Sequence, residues 1–294
     1  MKPKNRGLKI AGIVCTLLVA ASCISVYISY NVLTVTEYKL KNKKVQSPMR
    51  MLLVSDLHNH QFGDNNEELI KKMLDLQPDA IFMDGDMLNV DTADCSWLFQ
   101  LIRSLSSEVP VYFAYGNHEI AYQEQHPELR EQLTEAGAVV VEENYVDTTI
   151  NGNAVRIGGF YDYAFSMTHP STRQDTMDSE KYDFLDDFCS SDALKIMLSH
   201  RPDSFVFSDA SSVWSIDYVL CGHNHGGQVI LPFIGGLFGG DQGFLPEYAS
   251  GIHQFTSMQM IITRGLSSNP EYLPRFNNPP EIVCLDFVSS NTQE

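Results

Sequence analysis

The feature of this sequence that most constrains its fold is a set of five short apolar runs, each ending in a polar cluster. The runs cover residues 51–54, 80–83, 109–114, 194–198 and 216–221. Their length and composition are typical of buried β-strands. Apolar residues at helical spacing separate or follow the first three runs, at residues 65–76, 97–105 and 129–136. This alternation predicts an open α/β sheet covered by helices.

Each apolar run is followed by side chains that bind metal ions in many proteins. The clusters contain Asp56 and His58; Asp84 and Asp86; Asn117, His118 and Glu119; His200; and His223 and His225. A single Asp or His after a strand is usually only a turn residue or a helix cap. In open α/β sheets, however, ligands bind beyond the carboxyl ends of the strands. The repetition therefore predicts that these side chains converge on one site.

The residue types in these clusters indicate the chemistry of the site. Carboxylate, amide and imidazole donors without thiolate suit Mn, Zn, Fe or Co. The six cysteines include no Cys-x-x-Cys pair, and their spacing predicts neither a zinc knuckle nor a disulfide framework. The donors are too many for one metal with an open position, and they favour two divalent metals that share a carboxylate. Two metals ~3.5–4 Å apart can clamp the attacking and leaving oxygens of a phosphoryl displacement.

These clusters resemble the five motifs of the calcineurin-like metallophosphoesterases, in order and in approximate spacing over about residues 50–287. The matching motifs are Asp56-x-His58, Gly85-Asp86, Gly116-Asn117-His118-Glu119, His200 and Gly222-His223-Asn224-His225. Later elements resemble the membrane-associated bacterial branch of this family, which includes cell-wall phosphodiesterases and UDP-2,3-diacylglucosamine pyrophosphatases. Those elements are Gly226-Gly227-Gln228, Arg264-Gly265-Leu266 and Pro279-Pro280-Glu281-Ile282.

The resemblance implies a four-layer α/β/β/α sandwich and a role for each matching residue. Asp86 would bridge two metal ions, and His118 would be the catalytic histidine beside the scissile phosphate. A metal-bridged hydroxide would then attack phosphorus in line. The ligands of one metal would be Asp56, His58 and His225, and those of the other would be Asn117, His200 and His223.

Several further residues carry expectations of their own. Asn89 stands where many family members have an aspartate that pairs with the catalytic histidine, so we expect it to orient His118. Asp84 and Glu119 are expected to support the ligands rather than to bind metal. His60 is either a solvated loop histidine or a substrate contact. Arg264 either binds a substrate phosphate or forms a structural salt bridge.

The N-terminal segment differs from the rest of the chain. Residues 10–36 contain no charge, and the apolar part at 10–30 is long enough to cross a bilayer as a helix. A cleaved signal peptide is the alternative. Basic residues lie on both sides of the span in nearly equal numbers, so the positive-inside rule alone does not fix its orientation. We expect a cytoplasmic tail with a signal-anchor at 1–36, and a linker at 37–49 that is a stalk or an edge strand. A domain at 50–288 on the extracytoplasmic side and a tail at 289–294 would follow.

Charge narrows the class of partner. The chain has 20 Lys and Arg against 37 Asp and Glu, and nine of the basic residues lie in the first 50 positions. Such an acidic domain repels nucleic acid, which is therefore an unexpected partner. The expected substrate is a small or lipid-linked phosphoester or pyrophosphate of the cell envelope. The alternatives are a soluble nucleotide or, on the same fold, a non-catalytic scaffold. The sequence leaves the oligomeric state open.

The segment at residues 229–250 is apolar but rich in glycine. Its apolar residues are Ile230, Leu231, Phe233, Ile234, Leu237, Phe238, Phe244 and Leu245. Without a helical or strand period, this segment is either an irregular loop over the core or a flexible lip that contacts lipid.

Overall fold

The structure is a computed structural model that describes residues 4–165, 177–207, 209–268 and 273–290. Its α-helices are α1 (Lys4–Asn31), α2 (Glu67–Asp75), α3 (Ser96–Ser106), α4 (Asn117–Gln123), α5 (Leu129–Glu135), α6 (Ser179–Cys189), α7 (Asp203–Val206) and α8 (Ala210–Val213). Single 3-10 turns cover Asp64–Asn66, His225–Gly227 and Gly240–Gln242.

Sixteen strands accompany these helices in the described residues. They are β1 (Thr34–Asn42), β2 (Met49–Val54), β3 (Ala80–Asp84), β4 (Val111–Ala114), β5 (Ala138–Val140), β6 (Asn144–Ile150), β7 (Asn153–Gly159), β8 (Leu194–Leu198), β9 (Tyr218–Cys221), β10 (Ile230–Leu231), β11 (Gly235–Gly236), β12 (Phe238–Gly239), β13 (Gly243–Phe244), β14 (Gly251–Gln254), β15 (Gln259–Ile262) and β16 (Glu281–Ser289).

Two six-stranded sheets contain all but the four shortest strands. The first has the order β1-β16-β2-β3-β4-β5 and is parallel except where β16 meets β2. The second has the order β14-β15-β9-β8-β7-β6 and is antiparallel only at its two edges. The short strands form two separate hairpins, β10–β11 and β12–β13. Parallel neighbours place the carboxyl ends of several strands at the same edge of each sheet.

Alternation along the strands divides the core into three apolar layers. Met51 and Leu53 of β2 point into a core shared with the second sheet, where they join Ile196 of β8. Leu52 and Val54 point the other way, toward α2 and α3. On the outer face of the second sheet, Met197 of β8 packs with side chains of α6. The predicted α/β/β/α sandwich is therefore confirmed.

The predicted strands lie within two residues of their expected limits, whereas some helices and turns differ. The helix predicted at 65–76 begins only at Glu67, because Asn65 and Asn66 have left-handed backbones with φ of 53° and 61°. Helix α4 and the hairpins β10–β13 were not predicted, since short elements lack a readable period. Residues 166–176, which precede α6, lie outside the described part of the chain.

The N-terminal helix leads directly into the first sheet. By length and composition, Gly7–Asn31 can span a membrane, and its most apolar window is 0% buried by the rest of the protein. Strand β1 then pairs in parallel with β16, with Thr34 opposite Glu281. The expected linker at 37–49 is thus an edge strand in its first part, and that strand begins three residues earlier, at Thr34.

Candidate metal centre

The polar clusters meet where the strands of the two sheets end. Asp56 follows β2 and Asp86 follows β3, while α4 begins with Asn117 shortly after β4. Two strands of the second sheet, β8 and β9, lead into the histidine clusters. The backbone is left-handed at most of the predicted ligands, a conformation that is uncommon outside glycine and collects at functional sites. These residues are Asp56, His58, Asp86, His223 and His225, with φ between 46° and 66°.

Ligand atoms from these residues form three overlapping groups. Within each group the atoms lie no more than 4.8 Å from one another. Asp86 belongs to two of the groups, and its Oδ2 lies 3.1 Å from His200 Nε2 and 3.8 Å from His58 Nε2. The groups are Asp56, His58 and His225; His58, Asp86 and His118; and Asp86, His200 and His223. The shared members make this one continuous centre, with Asp86 in the middle.

Buried polar atoms at the centre test whether a metal fits there. Among the described residues, His58 Nε2, His223 Nε2 and Asn117 Oδ1 are buried and have no hydrogen-bond partner. A buried polar atom left without a partner costs about 1–3 kcal/mol. Divalent cations would satisfy all three atoms, and imidazole, amide and carboxylate are suitable ligands for Mn, Zn or Fe. The residues present therefore fit a metal centre.

Hydrogen bonds to the second ring nitrogen fix how two of the histidines point. His58 Nδ1 lies 2.8 Å from Asn89 Oδ1, and His200 Nδ1 lies 2.6 Å from the carbonyl oxygen of Asp84. Both acceptors keep a proton on Nδ1, so Nε2 is the ring atom whose lone pair can bind a metal at the centre. His225 Nδ1 lies between the Ser267 carbonyl oxygen, at 3.2 Å, and Asp56 Oδ1, at 3.6 Å.

Asn89 contacts a different histidine from the one expected. It was expected to orient His118, but its side-chain oxygen pairs with His58. The partner of His118 is the backbone of Val90, whose N–H donates to His118 Nδ1 at 3.1 Å. The proton of the neutral His118 ring therefore lies on Nε2, which is 3.9 Å from Asp86 Oδ2. The backbone turn after Asp86 brings Val90, not Asn89, to His118.

Replacing Asn89 with alanine is expected to weaken metal binding about 10–100-fold, the usual cost of removing a partner of a metal-ligating histidine. Without the amide oxygen, His58 loses the acceptor that holds its ring and its tautomer. Metal titration of the purified variant measures the effect. Asn144→Ala, which removes an exposed amide at the start of β6, is the matched control. Unchanged metal affinity in Asn89→Ala would remove Asn89 from the support of the centre.

Burial keeps most of the histidines neutral. It lowers the pKa of His58 to about 4 and that of His223 to about 3, and it holds the pKa of His225 well below its usual value. Burial also opposes charge on Asp86 and His200. Their mutual attraction outweighs it, so the pKa of Asp86 falls below its ordinary value and that of His200 rises well above. Near neutral pH, His58, His223 and His225 are thus neutral imidazoles, which is the form that metals require, whereas His200 would have to release the proton that Asp86 stabilises when a metal binds.

Glu119 holds the turn that carries Asp86. Its carboxylate is fully buried and accepts hydrogen bonds from the backbone N–H groups of Asp86 at 2.7 Å, Met87 at 2.9 Å and Gly116 at 2.9 Å. The contact at Gly116 is so close that a Cβ there would lie 2.2 Å from Asp86 Oδ1. Glu119 therefore joins the end of β3 to the start of α4.

Glu119→Gln is expected to lower the free energy of unfolding by about 2 kcal/mol, because the amide can place an NH₂ group where a carboxyl oxygen accepts from backbone N–H groups. In a domain of this size that corresponds to a fall in Tm of about 4–8 °C. Thermal unfolding with a chelator present measures this effect apart from metal binding. Glu135→Gln at the exposed end of α5 is the control. Equal Tm values for the two variants would contradict this role of Glu119.

Asp84 supports the centre through its backbone. Its carbonyl oxygen accepts from Ser55 Oγ at 2.7 Å as well as from the ring of His200. Burial raises the pKa of its side chain well above the usual value, and the side chain belongs to none of the three ligand groups. The supporting role of the Asp84 side chain stays a prediction.

Of the two suggested substrate contacts, Arg264 has a structural partner. Its Nη2 lies 2.9 Å from Glu281 Oε1, which is the salt-bridge alternative. His60 packs edge-on against Phe62, with ring centroids 4.6 Å apart, and belongs to none of the three ligand groups. Burial lowers the pKa of His60.

One arginine beside the centre was not predicted to have a role. Arg275 is fully buried and donates to the carbonyl oxygens of Ser267 at 2.7 Å and Arg264 at 2.9 Å. Nearby, Asn278 Nδ2 donates to the carbonyl oxygen of His225 at 2.6 Å. Arg275 thus holds the loop at 264–267, and Asn278 holds the turn at His225. The only sequence signal for Arg275 was the scarcity of basic residues in this part of the chain.

Comparison with known proteins places this geometry in context. Residues 49–227 match the family described as calcineurin-like phosphoesterase. Phosphodiesterase YaeI of Escherichia coli (strain K12) is 26% identical over 249 residues, covering 82% of this chain and 83% of that protein. Metallophosphoesterase YkuE of Bacillus subtilis (strain 168) is 24% identical over 281 residues, covering 90% and 89%. The crystal structure of a dimetal phosphatase from Danio rerio is 12% identical, with a TM-score of 0.46, covering 74% of this chain and 87% of its own.

Proposed function

Because the chain belongs to the calcineurin-like phosphoesterase family, and is therefore a hydrolase of phosphoric ester bonds, we propose that it is a membrane-anchored enzyme with a dinuclear metal centre. The observation that carries the proposal is the position of Asp86. Its carboxylate lies between His58 and His200 and belongs to two ligand groups at once. A residue that bridges two metals needs this position.

The two metal sites would divide the ligands around Asp86. One site would use the two ligands that follow β2 and the second histidine after β9. The other site would use the remaining ligands. When bound, the metals would stabilise charge on the phosphate and lower the pKa of a water molecule. Asp56, His58 and His225 would bind one metal, and Asn117, His200 and His223 would bind the other.

His118 would act on the substrate rather than on a metal. Its Nδ1 accepts the Val90 N–H, so the neutral ring has its proton on Nε2, on the side of Asp86. From there it would donate a hydrogen bond to the leaving oxygen and stabilise the charge that develops on it. With its side chain 18% exposed, His118 is open to a bound substrate.

The N-terminal helix and the charge of the domain support a substrate of the cell envelope. An uncleaved α1 would tether the centre to one leaflet, with the domain on the extracytoplasmic side. The acidic balance of the chain favours a small or lipid-linked phosphoester over a nucleic acid. We therefore propose a phosphoester or pyrophosphate bond in an envelope component or in a lipid-linked molecule as the substrate.

A substrate panel with the full-length chain in detergent tests this function. The panel contains lipid-linked phosphoesters, UDP-sugar lipids, wall polymers, nucleotides and bis-p-nitrophenyl phosphate, each with Mn²⁺, Zn²⁺ or Fe²⁺. The proposal expects metal-dependent hydrolysis with a preference for an envelope or lipid-linked substrate. A preference for nucleotides would favour the soluble-nucleotide alternative. Metal binding without hydrolysis of any substrate would favour a non-catalytic scaffold.

A further inference from the structure

We propose that the two hairpins next to the metal centre form a lip that inserts into the lipid surface, so that the centre opens toward the membrane. The lip is residues 230–245, which contain β10–β11 and β12–β13. Insertion rests on the part of the proposed function that places α1 in the bilayer, and it does not depend on hydrolysis. Its consequence for the substrate rests on the proposed function: the hydrolysed bond would lie in the phosphoester headgroup of a membrane lipid.

The lip exposes bulky apolar side chains in the turn of its first hairpin and at the end of its second. Phe233 is fully exposed, and Ile234, Phe244 and Leu245 are between 59% and 74% exposed. Phe233 and Leu245 also have left-handed backbones, with φ of 68° and 54°. A bulky residue with positive φ is an outlier, so the turns hold these side chains outward at a cost in backbone energy. Apolar side chains clustered in this way mark an interaction surface.

Hydrogen bonds connect the first hairpin to the membrane helix. The side chain of Asn277 donates to the carbonyl oxygen of Ile230 at 3.1 Å, and its backbone N–H donates to Ser25 Oγ in α1 at 2.9 Å. The next residue, Asn278, donates from its backbone to Ser29 Oγ at 3.0 Å. The tip at Phe233 is only three residues from Ile230, which is at most about 10 Å of extended chain. The tip therefore lies beside the C-terminal turns of α1.

The position of Ser25 in α1 sets the depth of this contact. A bilayer core of about 30 Å takes about 20 helical residues, and the apolar run from Ile10 fills it at about Tyr30. Ser25 precedes Tyr30 by five residues, so it lies about 7 Å inside that boundary. The hairpin held at this level reaches the apolar layer with Phe233 and Ile234.

The second hairpin connects the lip to the centre. A Cβ added at Gly240 would lie 2.7 Å from His223 Nε2, so this turn covers a predicted ligand. Asp241 forms an ion pair with Arg201, the residue that follows His200. The lip thus borders the metal centre on one side and α1 on the other.

The lip contacts the apolar part of the bilayer rather than charged lipid headgroups. The sequence has no Lys or Arg between Arg201 and Arg264, whereas binding to anionic lipid depends on such residues. Insertion should therefore occur equally well in zwitterionic and anionic vesicles. A lipid held there would keep its acyl chains in the bilayer while its phosphoester reaches the centre.

Fluorescence quenching tests insertion independently of activity. Full-length Phe233→Trp is reconstituted in phosphatidylcholine vesicles with brominated acyl chains, and the emission of native Trp97 and Trp214 is subtracted with the parent protein. Val139→Trp, on the exposed face of β5 at the far edge of the first sheet from β1, is the control. Quenching of the introduced indole in Phe233→Trp well above that in the control supports the lip, and equal quenching overturns it.

A second measurement connects the lip to the substrate. In the Phe233→Ser/Ile234→Ser variant, hydrolysis of a lipid phosphoester in vesicles should fall about tenfold, while hydrolysis of bis-p-nitrophenyl phosphate is unchanged. Equal losses on both substrates would contradict membrane entry. If Phe233→Trp is quenched but no phosphoester is hydrolysed, the proposed function fails and the lip stands. If the soluble ester is hydrolysed but Phe233→Trp shows no added quenching, the lip fails and the proposed hydrolase function stands.

Discussion

Asp86→Asn is expected to lower kcat/KM about 10³-fold or more and to reduce bound metal. Metal ions supply several kcal/mol of transition-state stabilisation, and each 1.36 kcal/mol is a factor of ten in rate. The Asp86 carboxylate lies within 3.9 Å of the Nε2 atoms of His58, His118 and His200. An amide there removes the negative charge that two cations would share. Hydrolysis of bis-p-nitrophenyl phosphate and elemental analysis of the variant measure the two effects.

Asp203→Asn is the matched control for this change. Asp203 is as buried as Asp86, and burial raises its pKa to about 6, but it belongs to none of the three ligand groups. Asp203→Asn should keep its bound metal. Its rate should stay within about tenfold of the parent rate, which corresponds to a change of at most about 1.36 kcal/mol in the barrier. Normal activity in Asp86→Asn would exclude Asp86 as the bridging ligand.

His118→Gln is expected to lower kcat about 10²–10⁴-fold, the range for loss of a general acid or base, with metal content unchanged. The N–H of Val90 occupies Nδ1 of His118, which leaves Nε2–H to face the substrate. The measurement is kcat for bis-p-nitrophenyl phosphate, with the metal content of each preparation determined in parallel.

The opposite outcome has a specific meaning for His118. Because His118 also groups with His58 and Asp86, it could serve as a ligand. Loss of metal in proportion to activity would make it one. His126→Gln is the control, since His126 stacks on Tyr122 near the surface, with ring centroids 4.1 Å apart, and should be near-neutral.

The sequence was informative about the ligands because their positions follow from the strands. Asp56, Asp86 and His223 come within three residues of buried strand ends, and parallel strands bring such ends together. The partners of those ligands do not follow from strand position. The backbone is left-handed at Asp86, and the turn that follows brings Asn89 to His58 and Val90 to His118, which the sequence alone does not reveal.

Other parts of the fold had weak signals for different reasons. Strand β1 is polar because it lies at the edge of its sheet, where most of its side chains stay partly exposed, and it therefore resembles a linker. The hairpins β10–β13 have two residues per strand, too few to show alternation. Arg275 acts through backbone carbonyl groups that lie 8 and 11 residues earlier in the chain, and such contacts have no sequence pattern.

Metal titration of the full-length chain after chelation tests the central claim most directly, with bound Mn²⁺ and hydrolysis of bis-p-nitrophenyl phosphate measured in the same samples. We expect two metal ions per chain and activity that rises only as both sites fill. His223→Ala and His225→Ala should each lose a different one of the two sites. Full hydrolysis without metal, or loss of one common site in both variants, would contradict it.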